Sequence, residues 1–382
     1  MSTTAFSAAV SQARDLLRWR SPLRTELWAA RLTAGLEPDE VEPFLLELAE
    51  DGSAESRLTL AALAAVDRPG WTGTDPLPDA DDEPGDTTVD QHGTGEDREG
   101  SGSGAPGTQD QDRAALAASE GRQPAAEGPL RILGVEIPGT TDADLGLPGW
   151  VRRMGQVTCE GAWDGKADPY GEQTLAVLSF RYENGKEPHI LVVGIDQPNG
   201  GLAVDAVVEE VKFLDDLGLG PAEPGVVAGR VLDAFELGDR IMGAQVADTL
   251  AAVRPLAIAR ALAVPGLVRQ APDGTMTGFH DLPDVPGARE AFEKLVEFVG
   301  ERPLWWSPAR VSQFLTSWLP REAILSDTAV AAMPEVVRAW SRFNGDHPAV
   351  LHQIDVDAPR LPALMADESL AGLGKRIARR HL

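Results

Sequence analysis

Lysine, cysteine and aromatic residues are scarce in this sequence, and two of these scarcities remove whole classes of function. There are five lysines (Lys166, Lys186, Lys212, Lys294 and Lys375), and 34 basic residues stand against 60 acidic ones, a formal net charge of −26 over 382 residues. Nucleic-acid binders present basic surface, because neutralising phosphates releases counterions and supplies most of the affinity. Here the arginines are diluted by carboxylates, apart from the short tail Lys375, Arg376, Arg379, Arg380. The same charge repels an anionic membrane surface, so DNA, RNA and lipid are not expected as partners of the whole chain. Cys159 stands alone, which excludes an intramolecular disulfide and a multi-thiolate zinc site. No apolar run reaches the ~18 residues that a membrane span needs. Met1 to Phe6 opens no basic segment followed by an apolar one, as a secretory leader would. These absences point to the cytoplasm. Also missing are a glycine fingerprint for dinucleotides, a Gly-rich phosphate loop ending in Lys-Ser or Lys-Thr, and a serine in a nucleophile elbow. No cofactor and no metal are expected.

What is present divides into three stretches. Residues 1–66 read as a small helical module. Ser21-Pro22 supplies an N-cap with proline in the first turn, where its missing N–H costs nothing, and Leu23, Leu27 and Ala30 follow at helical spacing. Glu37-Pro38 starts a second such segment with Phe44, Leu45 and Leu48 on one face and Gly52 past its end. Ser53 caps a third carrying Leu58, Ala61, Ala62 and Ala65, and Val10, Ala13, Leu16 and Leu17 mark an earlier one. So small a module has a marginal core and is expected to dock on something.

Residues 67–129 change composition abruptly, with 15 acidic residues against four arginines and the run Gly100-Ser101-Gly102-Ser103-Gly104. Large apolar residues are nearly missing, so nothing offsets the entropy of ordering the backbone, roughly 1–2 kcal/mol per residue. The composition predicts a disordered acidic linker of net charge −11.

Residues 130–382 predict an α+β domain, with an antiparallel sheet over about 130–196 and a helical layer over about 202–382. Strands are expected around Ile132–Ile137, Gln156–Trp163, Thr174–Tyr182 and Ile190–Ile195, with Asn184-Gly185 as a type I′ hairpin turn. A helix is expected over Ala203–Leu214 after Gly200-Gly201. Others follow at 224–236, 245–263, 287–299, 308–318 and 327–343. Two helices around Ser307-Pro308 and Trp340 hint at a helix-turn-helix, but the second carries only Arg338 and Arg342 for base edges, so an aromatic core or a protein-binding groove fits better.

Four residues are candidates for a catalytic site: Asp168, His189, Asp196 and Asp205. His189 begins a strand that Asp196 ends, and Gly200-Gly201 with Asp205 follow at the start of the expected helix. A carboxylate at a strand end, a glycine turn and a helix N-terminus make a small anion or substrate site, because free backbone N–H groups and the helix dipole converge there. The same parts make an ordinary β-turn-α connection, with Asp205 merely favouring the first helical turn. Asp168, in the polar loop from Asp164 to Gly171, facing Asp196 would make a carboxylate pair for acid–base work. His347 and His352, five residues apart near Asp355 and Asp357, have the residue types of a metal site but read as a polar loop after a helix. Cys159, inside a strand, reads as a small buried apolar residue.

Ser21 to Ala30 (SPLRTELWAA), Ile195 to Gly201 with Asp205-Ala206, and Trp318-Leu319-Pro320-Arg321 with Val337 to Trp340 together resemble an uncharacterised actinobacterial protein family. The resemblance touches every folded stretch and skips the acidic one. It implies a bacterial, intracellular setting and no assigned activity. Gln197-Pro198 stand where the resemblance would place His-Asn after the aspartate, so a catalytic histidine there would be missing from this chain.

Two functional readings follow. In the first the chain is a non-enzymatic adaptor or regulatory protein with a protein partner. About 60 flexible residues would tether the helical module and raise its local concentration near the second region. In the second it is an enzyme, possibly a hydrolase, with a site around Asp168, His189, Asp196 and Asp205. The oligomeric state is left open.

Overall fold

Ser21 and Ser53 cap helices as their positions predict, each side chain accepting a backbone N–H three residues on (Arg24 and Ser56) at 3.2 Å. The computed structural model describes residues 2–67, 130–137, 146–241, 243–270, 278–300 and 302–379. The expected acidic linker, save Asp67, lies outside the described residues. The N-terminal helices are α1 (Ser2–Trp19), α2 (Pro22–Gly35), α3 (Pro38–Asp51) and α4 (Ala54–Val66). Gly52 closes α3 in the left-handed conformation, at φ 56°.

Residues 130–137 form a two-stranded hairpin of their own, β1 (Leu130–Ile132) and β2 (Val135–Ile137), separate from the main sheet. Its Ile132 and Ile137 are fully buried in one core with Phe44, Leu48, Leu58 and Leu63 of the helices. Trp150, Val151 and Met154 join that core, as does Leu256 from a later helix. The module therefore docks on the rest of the chain, and its core borrows apolar surface from it.

The main sheet is antiparallel and five-stranded: β3 (Val157–Lys166), β4 (Gln173–Tyr182), β5 (His189–Asp196), β6 (Leu202–Glu210) and β7 (Gly220–Ala222), in spatial order β6-β5-β4-β3-β7. β4 and β5 are central and apolar on both faces. The helical layer follows: α5 (Pro224–Arg240), α6 (Asp248–Leu262), α7 (Ala288–Val299), α8 (Pro308–Gln313), α9 (Leu319–Glu322), α10 (Asp327–Phe343), α11 (Pro348–Asp357), α12 (Leu361–Ala366) and α13 (Leu373–Arg379). A π-helical turn, Phe314–Trp318, joins α8 to α9. Helices α5 and α6 pack on the sheet around Val227, Val231, Phe235 and Val253. Helices α7 to α12 form a separate aromatic core around the fully buried Trp306, Phe314 and Trp340. The fold is thus α+β.

Three expectations are corrected. Residues 202–210, expected as a helix, are strand β6, and the helical layer begins at 224. Val204, Val207 and Val208 are β-branched, and strand pairing with β5 supplies hydrogen bonds that the local spacing does not reveal. The segment around His352, expected as a loop, is helix α11. The β4–β5 hairpin exists, but not with a type I′ turn: Gly185 takes φ 72° while Asn184 does not adopt positive φ, and the loop runs on to Glu187 at φ 49°. Glu187 is drawn out of a tight turn because its carboxylate accepts the Ser21 hydroxyl and, at 3.5 Å, the Leu23 N–H of the module.

Candidate functional site

The seam between module and sheet holds a buried cluster of ionisable side chains. Glu26 of α2 is fully buried, and Arg260 of α6 is 1% exposed. Arg260 Nη2 donates to Glu26 Oε2 at 2.5 Å and to the Tyr182 hydroxyl oxygen at 3.0 Å. Tyr182 in turn donates its hydroxyl to Glu26, and the Gly155 N–H donates to Glu26 Oε1 at 2.5 Å. Both Glu26 oxygens accept and Arg260 donates through Nε and Nη2, the pairing that burial of an ion pair demands. Burial opposes charge on Arg260, but the carboxylate beside it prevails and raises its pKa. Burial, reinforced by the Glu26 charge, pushes the Tyr182 phenol far above its usual range.

His189 belongs to this cluster. Arg260 Nε donates to His189 Nε2 at 3.2 Å, which makes that nitrogen an acceptor and puts the ring proton on Nδ1, facing the Glu187 carbonyl at 2.9 Å. Burial first, and the Arg260 charge second, depress its pKa to about 4. His189 is thus a neutral brace, 1% exposed, whose two nitrogens are both occupied.

The other sequence candidates lie elsewhere. Asp196 is seven residues along β5 from His189, roughly 23 Å at strand rise. It accepts the side-chain amide of Asn199 at 2.7 Å and holds the turn into β6. Asp168 accepts the N–H groups of Tyr170 at 2.7 Å and Gln173 at 2.5 Å, shaping the β3–β4 loop. Asp205, on β6 and not at a helix start, accepts the Thr249 hydroxyl. Asp168 and Asp196 share one end of the sheet, on either side of Gln173, while His189 stands at the opposite end. Cys159 keeps its thiol on the Gly161 carbonyl at 3.6 Å, with its pKa raised by burial. His347 packs edge-on against Tyr170, and among the described residues no group of three His, Cys, Asp or Glu is arranged to hold a metal ion.

Directly outside the buried cluster the seam opens into a groove of about 650 Å³. Its walls come from the α1–α2 corner (Trp19 to Pro22), the segment Pro148 to Arg153 and the β4–β5 loop (Asn184 to Glu187). Trp19 is 60% exposed, and the Arg24 guanidinium lies 5.4 Å from its ring centroid. Arg20, Arg153 and Lys186 line the groove, so with Arg24 four cations gather here. Among the described lining residues the one carboxylate, Glu187, is already committed to Ser21 and Leu23. Two of the five described non-glycine residues with positive φ, Arg20 at 53° and Glu187 at 49°, sit in this groove.

No protein-family model, curated protein or solved structure matches this chain. Sequence reasoning missed the groove because its cations come from three segments more than a hundred residues apart at the extremes. The one local signal was Trp19-Arg20 beside Arg18 and Arg24, a basic aromatic corner in an acidic chain. Among the described residues no helix is long and apolar enough to cross a membrane.

Proposed function

We propose that this protein is a non-enzymatic adaptor or regulatory protein that docks an acidic segment of a protein partner in the seam groove. The observation that carries the reading is the gathering of Arg20, Arg24, Arg153 and Lys186 around the exposed Trp19 on a chain of net charge −26. An acidic ligand is repelled by most of this surface and attracted here. Arginine and tryptophan are also the side chains that most often anchor protein interfaces. Because module and sheet domain both build the groove, a partner bound there responds to whether the two are docked. An enzyme built on Asp168, His189, Asp196 and Asp205 is less well supported, since His189 is buried with both nitrogens engaged and far from Asp196.

The test is a fluorescence-anisotropy titration of the full chain with a labelled Glu/Pro-rich decapeptide. The expected result is saturable, salt-sensitive binding that quenches or shifts Trp19 emission and weakens at least ten-fold in Arg20→Glu/Lys186→Glu. Binding that ignores both salt and the charge reversal sinks the reading. Tighter peptide binding after removal of residues 75–123 identifies the chain's own acidic stretch as a competitor for the same groove.

A further inference from the structure

At the other end of the β4–β5 hairpin, a cleft of about 490 Å³ lies between the sheet and α5, closed on one side by the segment Arg302 to Leu304. Local folding positions that wall. The Trp306 N–H donates to the Tyr170 carbonyl at 2.8 Å, and a Cβ on Gly171 would come within 2.2 Å of the Leu304 carbonyl oxygen, so only glycine allows the approach. The cleft is apolar below, from Leu175, Ile195 and Leu237, and polar around its rim.

The rim charges are unevenly matched. Of its three carboxylates, Asp164 is paired with Arg230. Asp233 and Glu236 are bridged by the Arg269 fork at 2.5 Å each, with Arg240 also on Glu236. Arg302 has only neutral partners among the described residues: Nη1 donates to the Gln197 carbonyl at 2.8 Å, and the guanidinium lies 5.6 Å from the Trp305 ring centroid. On the same indole, 4.0 Å from its centroid, lies a second guanidinium, that of Arg310, whose described partners are the Gln313 amide oxygen and the Phe298 carbonyl, both at 3.1 Å. Burial and the neighbouring Arg302 lower the Arg310 pKa to about 10. Among the described residues no carboxylate pairs with either of these two guanidiniums on one ring, in a chain with a large excess of carboxylates. The cleft's described lining charges balance, with Asp164, Asp233 and Glu236 against Arg230, Arg240 and Arg302, in a chain of net charge −26. Gln270, at φ 52°, adds a strained polar residue to the lining.

We infer that this cleft binds a small organic anion, its carboxylate or phosphate head on Arg302 and its apolar body on Leu175, Ile195 and Leu237. The volume falls in the range of small-molecule sites, and an apolar floor with a few convergent polar groups is their usual composition. Arginine presents a planar fork that matches either head group. The site is independent of the seam groove, which lies beyond the far end of β4, roughly 30 Å away at strand rise.

The experiment titrates the full chain with four matched probes, hexanoate, hexyl phosphate, hexan-1-ol and hexylammonium, by calorimetry and by amide chemical shifts. One of the two anions is expected to saturate at one per chain and to move the amides of Gly200, Gly201 and Gln270. The alcohol and the ammonium should bind at least ten-fold more weakly. Hexanoate the tighter of the anions assigns a carboxylate ligand, and hexyl phosphate the tighter a phosphate. Arg302→Gln is expected to lower anion affinity at least ten-fold, with Arg302→Lys keeping part of it. An anion no tighter than the alcohol, or shifts confined to other parts of the chain, overturns the inference even if the variants do not fold. Unchanged anion affinity in a folded Arg302→Gln overturns it as well.

Discussion

Replacing Glu26 with alanine tests how the module is held to the sheet domain. The carboxylate is fully buried and receives three donors: Arg260 Nη2, the Tyr182 hydroxyl and the Gly155 N–H. Removing it leaves a guanidinium that is 1% exposed with no counter-charge, the situation that costs about 3–5 kcal/mol when one partner of a buried pair is deleted. At roughly 2–4 °C per kcal/mol for a chain of more than 150 residues, the melting temperature should fall by about 6–20 °C. The double variant Glu26→Leu/Arg260→Met removes both charges and fills the space with apolar atoms, so most of the loss should be recovered, because desolvating the pair consumes much of its Coulombic gain. Urea titration followed by circular dichroism measures these proteins, and adding Glu26→Leu and Arg260→Met as single variants closes the double-mutant cycle that isolates the coupling. A single-variant loss below about 1 kcal/mol would refute the reasoning, since the pair would then not be buried as described. A double variant no more stable than Glu26→Ala would refute it too.

His189 has its pKa depressed to about 4 by burial, against about 6.5 in an unfolded chain, so the unfolded state takes up the proton first as pH falls. Its contribution to stability is complete above pH 6.5 and declines as pH falls from 6.5 towards 4, by up to about 3 kcal/mol. His189→Gln should flatten that part of the pH–stability curve, and an unaltered slope would show that the proton is taken up elsewhere. Gly229 on α5 lies so close to the chain at Val268 that a Cβ would stand 1.7 Å from its carbonyl oxygen. Gly229→Ala should therefore destabilise by about 1–3 kcal/mol in a thermal melt, although alanine favours helices. Trypsin is expected to cut first at Arg98, Arg113 or Arg122. Because the docked module shares a core with Trp150, Met154 and Leu256, the halves should co-elute on size exclusion and separate only in denaturant. Deleting residues 75–123 should move the melting temperature by no more than about 2 °C, because the segment carries few large apolar side chains. A large drop would contradict that composition argument.

Local physics was enough to determine part of this protein. The N-caps Ser21 and Ser53, the left-handed Gly52 and the helical spacing through residues 2–66 are set by residues a few positions apart, and so are the central strands β4 and β5 with their apolar faces. The acidic composition of residues 67–129 is likewise a property of the chain itself. Partners distant in sequence decided the rest. Residues 202–210 read as helical from their local spacing, and pairing along the edge of β5 makes them a strand. Glu26 sits on a helix face with nothing in its neighbourhood to show that it would be buried, until Arg260, 234 residues later, is brought against it. His189 looked like a candidate acid or base because strand position does not disclose burial, and Arg260 and Glu187 turn it into a brace. The groove and the cleft each draw their cations from segments that are far apart in the chain. Charge in such a site is a sum over space, which spacing along a sequence does not record.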